Sequence, residues 1–224
     1  RNIERLRADG VRFVDPVAGE LACKTVGTGK LEDVENIVSQ VLNLLDAETQ
    51  RRRGGRETSL RLSVSALKDD LTKEHILITV GGTREAIDPV RFISNHSSGK
   101  MGFAVAVAAR ERGARVTVVA ASTSVEPPDG VEVIRSISAQ EMFDAVMEKV
   151  ADATVFIGAA AVADYSPANV ADAKIKKEGI DGISLELKKT PDILSEVSKR
   201  RREGQMVIGF AAETNDVIEF AKSK

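Results

Sequence analysis

The sequence predicts an α/β fold, a Rossmann-like, open and mostly parallel sheet with helices on both faces. Two observations predict it. From His75 onward, nearly continuous β-branched runs alternate with stretches of helical periodicity, as strands buried on both faces of a parallel sheet require. The helical stretches also carry their own start and stop residues.

Taken in order, Ile76–Val80 is the first strand. Gly99–Arg112 then sets Met101, Val105 and Ala108 at helical spacing, with Ser97, Ser98 and Gly99 opening the helix and Gly113 stopping it at C′. Arg115–Ala120 and Val131–Arg135 follow as strands. Ser138–Val150 is a helix whose Met142, Phe143, Val146 and Val150 form one stripe, with Ser138 as N-cap and Glu141 completing a capping box. Thr154–Ala159, Ile183–Leu187 and Met206–Phe210 are the remaining strands. Pro191–Arg202 is a helix with Pro191 at N1, and Asn215–Lys224 is the last helix. It reaches the final residue without a C-cap, and the chain begins with Arg1 rather than Met. The protein is therefore expected to be truncated at both ends, its sheet lacking closing strands at the C-terminus.

Composition narrows the function. With 32 basic and 34 acidic residues and a net charge of -2, nothing in the overall field favours nucleic acid or an anionic membrane. No run approaches the roughly 20 apolar residues of a membrane span. The single cysteine forms no internal disulfide, which makes a reducing cytoplasm the expected compartment. Residues 1–45 and 75–224 read as folded and residues 46–74 as a linker. Its Arg51, Arg52, Arg53 and Arg56 follow Asp46 and Glu48, and read as a solvated charge run.

Ligands of open parallel sheets bind at the C-terminal strand ends, so the loops there carry the chemistry. The first, Val80–Gly102, matches neither the P-loop nor the G-x-G-x-x-G pattern. Its Gly81 and Gly82 permit a tight turn and close approach of a ligand, and the helix start with Lys100 favours an anion. Asn95 donates and accepts without titrating, so it suits an acyl group that loses its charge during reaction. His96 is a candidate base or a local hydrogen-bonding residue.

Later, Gly158, Ala159, Ala160 and Ala161 leave room for a planar base or ribose, or pack helix against strand, and Asp164 can accept from a hydroxyl or amino group. Lys174, Lys176 and Lys177 read either as a solvated face or as triphosphate contacts. A surface ion pair is worth ~0–1 kcal/mol, whereas a lysine ~4 Å from a desolvated phosphate supplies on the order of 4 kcal/mol. Thr190 precedes a helix start, and Phe210 is either core or a lid on a nucleobase.

The ordered set GGTREAIDPVRFISNHSSGKMG, AAVADY, KIKK, TPDIL and GFAAET, within residues 75–224, closely resembles the synthetase half of the bifunctional phosphopantothenoylcysteine decarboxylase/phosphopantothenate–cysteine ligase family of coenzyme A biosynthesis. The resemblance implies a homodimeric ligase domain that requires Mg²⁺, without assigning its ligands. In the implied reaction CTP activates 4′-phosphopantothenate as an acyl-cytidylate, releasing pyrophosphate, and cysteine then displaces CMP. It implies Lys174 as the catalytic or CTP-contacting lysine and Asn95 as the holder of the acyl-cytidylate. Gly158, Ala159, Ala160, Asp164, Pro191, Asp192, Ile193, Leu194, Phe210 and Lys224 fall on nucleotide-contacting positions.

DPVAGELACKTVGTGKL, Asp15 to Leu31, resembles the tail of the family's flavin-dependent decarboxylase domain, with Cys23 on its proton donor. Lys24 stands where that family usually has glycine. The FMN-binding body and its histidine would lie upstream of Arg1, so this chain by itself is expected to lack decarboxylase activity. The full-length protein would be a higher oligomer. Two rival readings are a dinucleotide-binding oxidoreductase domain and a nucleotide-binding module without catalysis.

Overall fold

The computed structural model describes residues 17–20, 26–30, 36–43, 70–176 and 182–210. These fall into two compact units, with Phe210 grouped with the N-terminal one. In the N-terminal unit, β1 (Val17–Glu20) pairs antiparallel with β2 (Val26–Lys30), Ala18 opposite Thr28. Helix α1 (residues 36–43) buries Ile37 and Val41, which lie on one helical face at i and i+4.

The second unit is built on five parallel strands. They are β3 (His75–Val80), β6 (Arg115–Ala120), β7 (Glu132–Arg135), β8 (Val155–Gly158) and β11 (Met206–Gly209). Their order is β11-β8-β3-β6-β7, with Ile78 of β3 opposite Val118 of β6 on one side and Ile157 of β8 on the other. Every residue of β3 is buried, which is why this segment is nearly continuous in Ile, Leu and Val, with Thr79 and His75 as its buried polar members.

Helices cover both faces. Helix α2 (Lys100–Glu111) packs on the face of Val80, close enough that a Cβ on Gly102 would lie 2.6 Å from a Val80 methyl. It ends in a Schellman motif: the N–H of Gly113 (φ 87) donates to Arg110 and that of Ala114 to Ala109. Helix α3 (Ala139–Lys149) and helix α4 (Ile193–Arg200) cover the opposite face, where Met142, Val146, Ile193 and Val197 join Leu77, Val119 and Phe156 in one cluster. Each fully buried aliphatic or aromatic side chain there contributes about 1.5–3 kcal/mol. The expected α/β class is therefore the observed one.

Several local expectations need correction. Ile183–Leu187 is not a strand of the main sheet. Ile183 and Leu185 are half exposed, and only β10 (Leu187–Lys189) forms, pairing antiparallel with β9 (Tyr165–Pro167). The reason is legible afterwards: Ile183, Leu185 and Leu187 alternate with Ser184, Glu186 and Lys188, the pattern of a one-sided ribbon rather than a doubly buried strand. Pro191 does not occupy N1. The N-cap of α4 is Asp192, whose carboxylate accepts from Ser195 N–H at 2.9 Å, so Pro191 lies outside the helix. Ser138 does cap α3, but Glu141 accepts from the N–H of Ile137, one residue before the cap, so the capping box is not closed. The N-cap of α2 is Gly99 at φ 79, not a serine.

The long connection from β3 to α2 contains an unexpected hairpin. Strand β4 (Arg84–Ala86) pairs antiparallel with β5 (Phe92–Ser94), Glu85 opposite Ile93. The buried Glu85 carboxylate accepts from the first helical N–H of α3, at Ala139, which anchors the hairpin to the N-terminus of that helix.

Candidate active site

In the observed strand order the chain starts at β3, winds outward through β6 and β7, and returns to β8 on the other side of β3. The loops leaving β3 and β8 consequently diverge and open a crevice at the C-terminal edge. Of the residues singled out from the sequence, Gly81, Gly82 and Asn95 lie on the β3 loop and Gly158–Asp164 on the β8 loop.

Gly81 turns the chain at φ 87, and Gly82 exchanges both backbone hydrogen bonds with Ser122 after β6, at 2.9 and 3.1 Å. Thr83 N–H donates to Ala161 after β8, and Ala161 N–H donates to Gly81. Three strand exits are thus laced together at Gly81–Thr83. A Cβ on Gly82 would sit 2.6 Å from the Asn95 carbonyl oxygen, so glycine is what lets the loop fold back on itself.

Asn95 is fixed by that fold-back. Its Nδ2 donates to the Val162 carbonyl at 3.0 Å, across the crevice to the β8 exit. On its other side, Asn95 lines a cleft of about 490 Å³ with Gly82, Arg84, Phe92, His96 and Thr123. The Arg84 guanidinium lies over the Phe92 ring, 4.7 Å from its centroid.

The β8 exit is equally constrained. Ala160 N–H and Ala163 N–H donate to the hydroxyls of Thr79 and Thr83. Thr190 N–H donates to the Asp164 carbonyl, and its hydroxyl to that of Ala163, so the segment before α4 is drawn to the same edge. Gly158, Ala159 and Ala160 are half-buried and Asp164 is exposed. A Cβ on Gly158 would meet protein atoms no closer than 3.6 Å, so nothing in the protein's own packing demands glycine there.

The remaining predicted residues are placed as follows. Lys174 and Lys176 are exposed on the segment after β9. Asp192 caps the helix through Oδ1, the Ile193 side chain is in the core, and the side chains of Asp192 and Leu194 are exposed. Phe210 follows β11 and is half-buried. Cys23, Lys177 and Lys224, like the predicted helix Asn215–Lys224, lie outside the described residues.

Sequence reading passed over Asp88, Arg91 and the Ser122–Ser124 turn. Asp88 is buried, and its Oδ1 accepts from Val90 and Arg91 N–H, each at 2.8 Å. Its Oδ2 accepts from the Arg91 guanidinium and from Ile175 N–H. The Arg91 guanidinium beside Asp88, reinforced by the backbone donors, holds its carboxyl well below the usual carboxylate range. The D-P dipeptide at Asp88 was a turn signal, but its partner at Ile175 is remote in sequence.

Residues 71–224 match the family model described as the DNA/pantothenate metabolism flavoprotein C-terminal domain. The chain belongs to this family. Its relatives include the coenzyme A biosynthesis bifunctional protein CoaBC of Haemophilus influenzae, 42% identical over 224 residues, covering all of this chain and 51% of the relative. The protein of the same name from Bacillus subtilis is 43% identical over 225 residues, covering 100% of this chain and 50% of the relative. The chain spans about half the length of these curated relatives. Among solved structures, the C-terminal domain of CoaBC aligns at 43% identity with a TM-score of 0.59, covering 69% of this chain and 72% of that one. The switch-point loops of this flavoprotein C-terminal domain, Gly81–Thr83 and Ala159–Asp164, lie inside the matched region. No helix among its described residues is long and apolar enough to cross a membrane.

Proposed function

We propose that this chain carries the phosphopantothenate–cysteine ligase step of coenzyme A biosynthesis, in a cytoplasmic enzyme. The observation that carries the reading is the Asn95 amide, held against Val162 at the crevice where a parallel sheet receives its ligand. The relatives' names, over the full length of this chain, supply the pathway.

The chemistry is a two-step acyl transfer. A carboxylate oxygen of 4′-phosphopantothenate forms a bond to the α-phosphorus of CTP while the bond to pyrophosphate breaks. The cysteine amine then attacks the acyl carbon, CMP leaves with the bonding electrons, and the amine gives up a proton to solvent. A carboxylate and a triphosphate repel each other, so cations must precede the chemistry. Lys174 supplies one charge at the phosphates, worth on the order of 4 kcal/mol at ~4 Å. Asn95 has one amide hydrogen committed to Val162, leaving the other and Oδ1 to follow the acyl group as it loses its charge.

Gly158, Ala159 and Ala160 offer a backbone edge and open space to the nucleotide, Asp164 an acceptor, and Pro191 and Leu194 an apolar wall, while Phe210 and Lys224 are nucleotide contacts on the family resemblance alone. Mg²⁺, when bound, neutralises phosphate charge and takes few protein ligands. No group of three acidic or histidine side chains gathers among the described residues, which suits an ion carried in on the triphosphate.

The oxidoreductase reading loses ground because a hairpin, β4–β5, stands where a dinucleotide site runs its strand directly into the helix N-terminus. A homodimer is expected, and the exposed Val90, Phe92 and Ile137 supply apolar surface for it. FMN and the proton-donor role of Cys23 belong to the decarboxylase half of the family.

The test is pyrophosphate and CMP release by the full-length protein given CTP, 4′-phosphopantothenate and cysteine. Loss of both products in Lys174→Gln and of product turnover in Asn95→Asp is expected. Wild-type rates in both variants overturn the assignment, and NADPH binding without CTP binding overturns the reaction class.

A further inference from the structure

Lys174 lies on a short exposed segment with no helix or strand of its own, so something must hold it. Among the described residues, three hydrogen bonds tie residues 171–175 to the turn between β4 and β5. Ala171 N–H donates to the Ile87 carbonyl at 3.0 Å. Ile175 N–H donates to Asp88 Oδ2 at 3.2 Å, and the Ile175 carbonyl accepts from Arg91 Nη2 at 2.8 Å. The peptide joining Lys174 to Ile175 and the one after it are therefore both clamped.

The division of labour within Asp88 is informative. Its Oδ1 closes the local turn onto Val90 and Arg91, which an uncharged asparagine oxygen would do as well. Its Oδ2 does two further things: it orients the Arg91 guanidinium, and it receives the remote Ile175 N–H directly. The Asp88 side chain is fully buried, whereas that of Arg91 is 35% exposed. Burial of a carboxylate is costly unless every lone pair is used. Here it is used on a segment that carries a candidate catalytic lysine and no core side chain.

We propose that Asp88 is a positioning residue for the ligation, acting through Arg91 and the Ile175 peptide to hold Lys174 at the phosphates of the nucleotide. This rests on the assignment of Lys174 made above. Asp88 touches neither substrate nor nucleotide in this role.

The experiment is a double-mutant cycle in the full-length protein, with Asp88→Asn, Lys174→Gln and the pair, reading the KM for CTP, the KM for cysteine, kcat and the thermal midpoint. Asp88→Asn keeps the size and the local turn and removes the charge. It is expected to raise the KM for CTP about tenfold and leave that for cysteine within twofold, because cysteine enters after the nucleotide has reacted. In the Lys174→Gln background the same change is expected to cost less than twofold. A KM does not depend on the folded fraction, so a purely structural role would lower kcat and the midpoint and leave both KM values unchanged; that pattern overturns the proposal. Equal losses in both backgrounds overturn it too. If Lys174→Gln alone leaves CTP kinetics unchanged, the assignment of Lys174 falls, and this inference with it. Arg91→Lys tests the same link where Asp88→Asn does not fold, since lysine lacks the Nε donor that grips Asp88 Oδ2 while Nη2 reaches the Ile175 carbonyl. A raised KM for CTP in that variant supports the clamp, and an unchanged one overturns it.

Discussion

The side-chain amide of Asn95 donates to the carbonyl of Val162 at 3.0 Å, tying the exit of β3 to the exit of β8 across the point where the strand order reverses. Because its partner is a carbonyl, the atom facing Val162 is the amide nitrogen, which defines how the other end of the side chain is presented. Asn95→Asp puts a carboxylate oxygen against that carbonyl. A loss of roughly 10²-fold or more in ligation is expected, with only about 0.5–1.5 kcal/mol of stability lost at this exposed site. Steady-state CMP release beside a thermal melt checks both halves.

Lys174→Gln removes a charge without shortening the side chain much. If the lysine supplies on the order of 4 kcal/mol at the phosphates, kcat/KM for CTP falls by roughly 10³-fold. The loss should shrink as salt rises, because the interaction of the wild-type lysine is itself screened. Pyrophosphate release at two ionic strengths tests this.

Asp88 makes a prediction about pH. Its pKa is depressed in the folded protein, chiefly by Arg91, so the stability it contributes is fully present above the unfolded value of about 3.9 and is lost as pH falls through the lower folded value. The thermal midpoint of Asp88→Asn is therefore expected to lie below wild type by a constant gap above about pH 5, a gap that narrows under stronger acid. Melts from pH 7 to pH 2 would show it. A gap independent of pH over that range would refute the charge pairing.

Two glycines at the site should respond oppositely to alanine. At Gly82 a Cβ would lie 2.6 Å from the Asn95 backbone oxygen, so Gly82→Ala is expected to lower the melting temperature and displace Asn95. At Gly158 the nearest protein atoms stand at 3.6–3.8 Å, ordinary contact, so Gly158→Ala should melt as wild type does. If the nucleotide approaches that backbone, the same variant raises the KM for CTP several-fold. Calorimetric melts and CTP kinetics on the two variants separate the effects.

At the far end of α2, Gly113 holds φ 87 in the Schellman motif. Gly113→Ala should cost about 1–2 kcal/mol through the left-handed backbone. Denaturant titration would measure this, with no change in ligation kinetics expected.

Much of the fold was legible because its signals are local. The β-branched runs of β3, β6 and β8, the stop at Gly113 and the cap at Ser138 are each contained in a few neighbouring residues. The misplacements have local causes as well. Pro191 precedes a helix that Asp192 caps, and the alternation of Ile183, Leu185 and Leu187 leads into the surface ribbon at Leu187 rather than forming a core strand. The β4–β5 hairpin escaped notice since strands of three residues carry almost no periodicity.

The candidate site divides the same way. Asn95, the Gly158–Asp164 exit and the KIKK lysines stood out by residue type and by their position after strands. That Asn95 meets Val162, that Asp88 and Arg91 grip Ile175, and that Ile193 turns into the core could not be read from spacing. The class of fold, the strand ends where a ligand binds and the residue types available there are written locally in the chain, because hydrophobic period and turn chemistry act over a few residues. Which of those residues meet is set by the folded arrangement of the strands. The reversal of strand order between β3 and β8 brings together groups 67 to 87 positions apart, and hydrogen bonds over that separation leave no periodic trace in the chain.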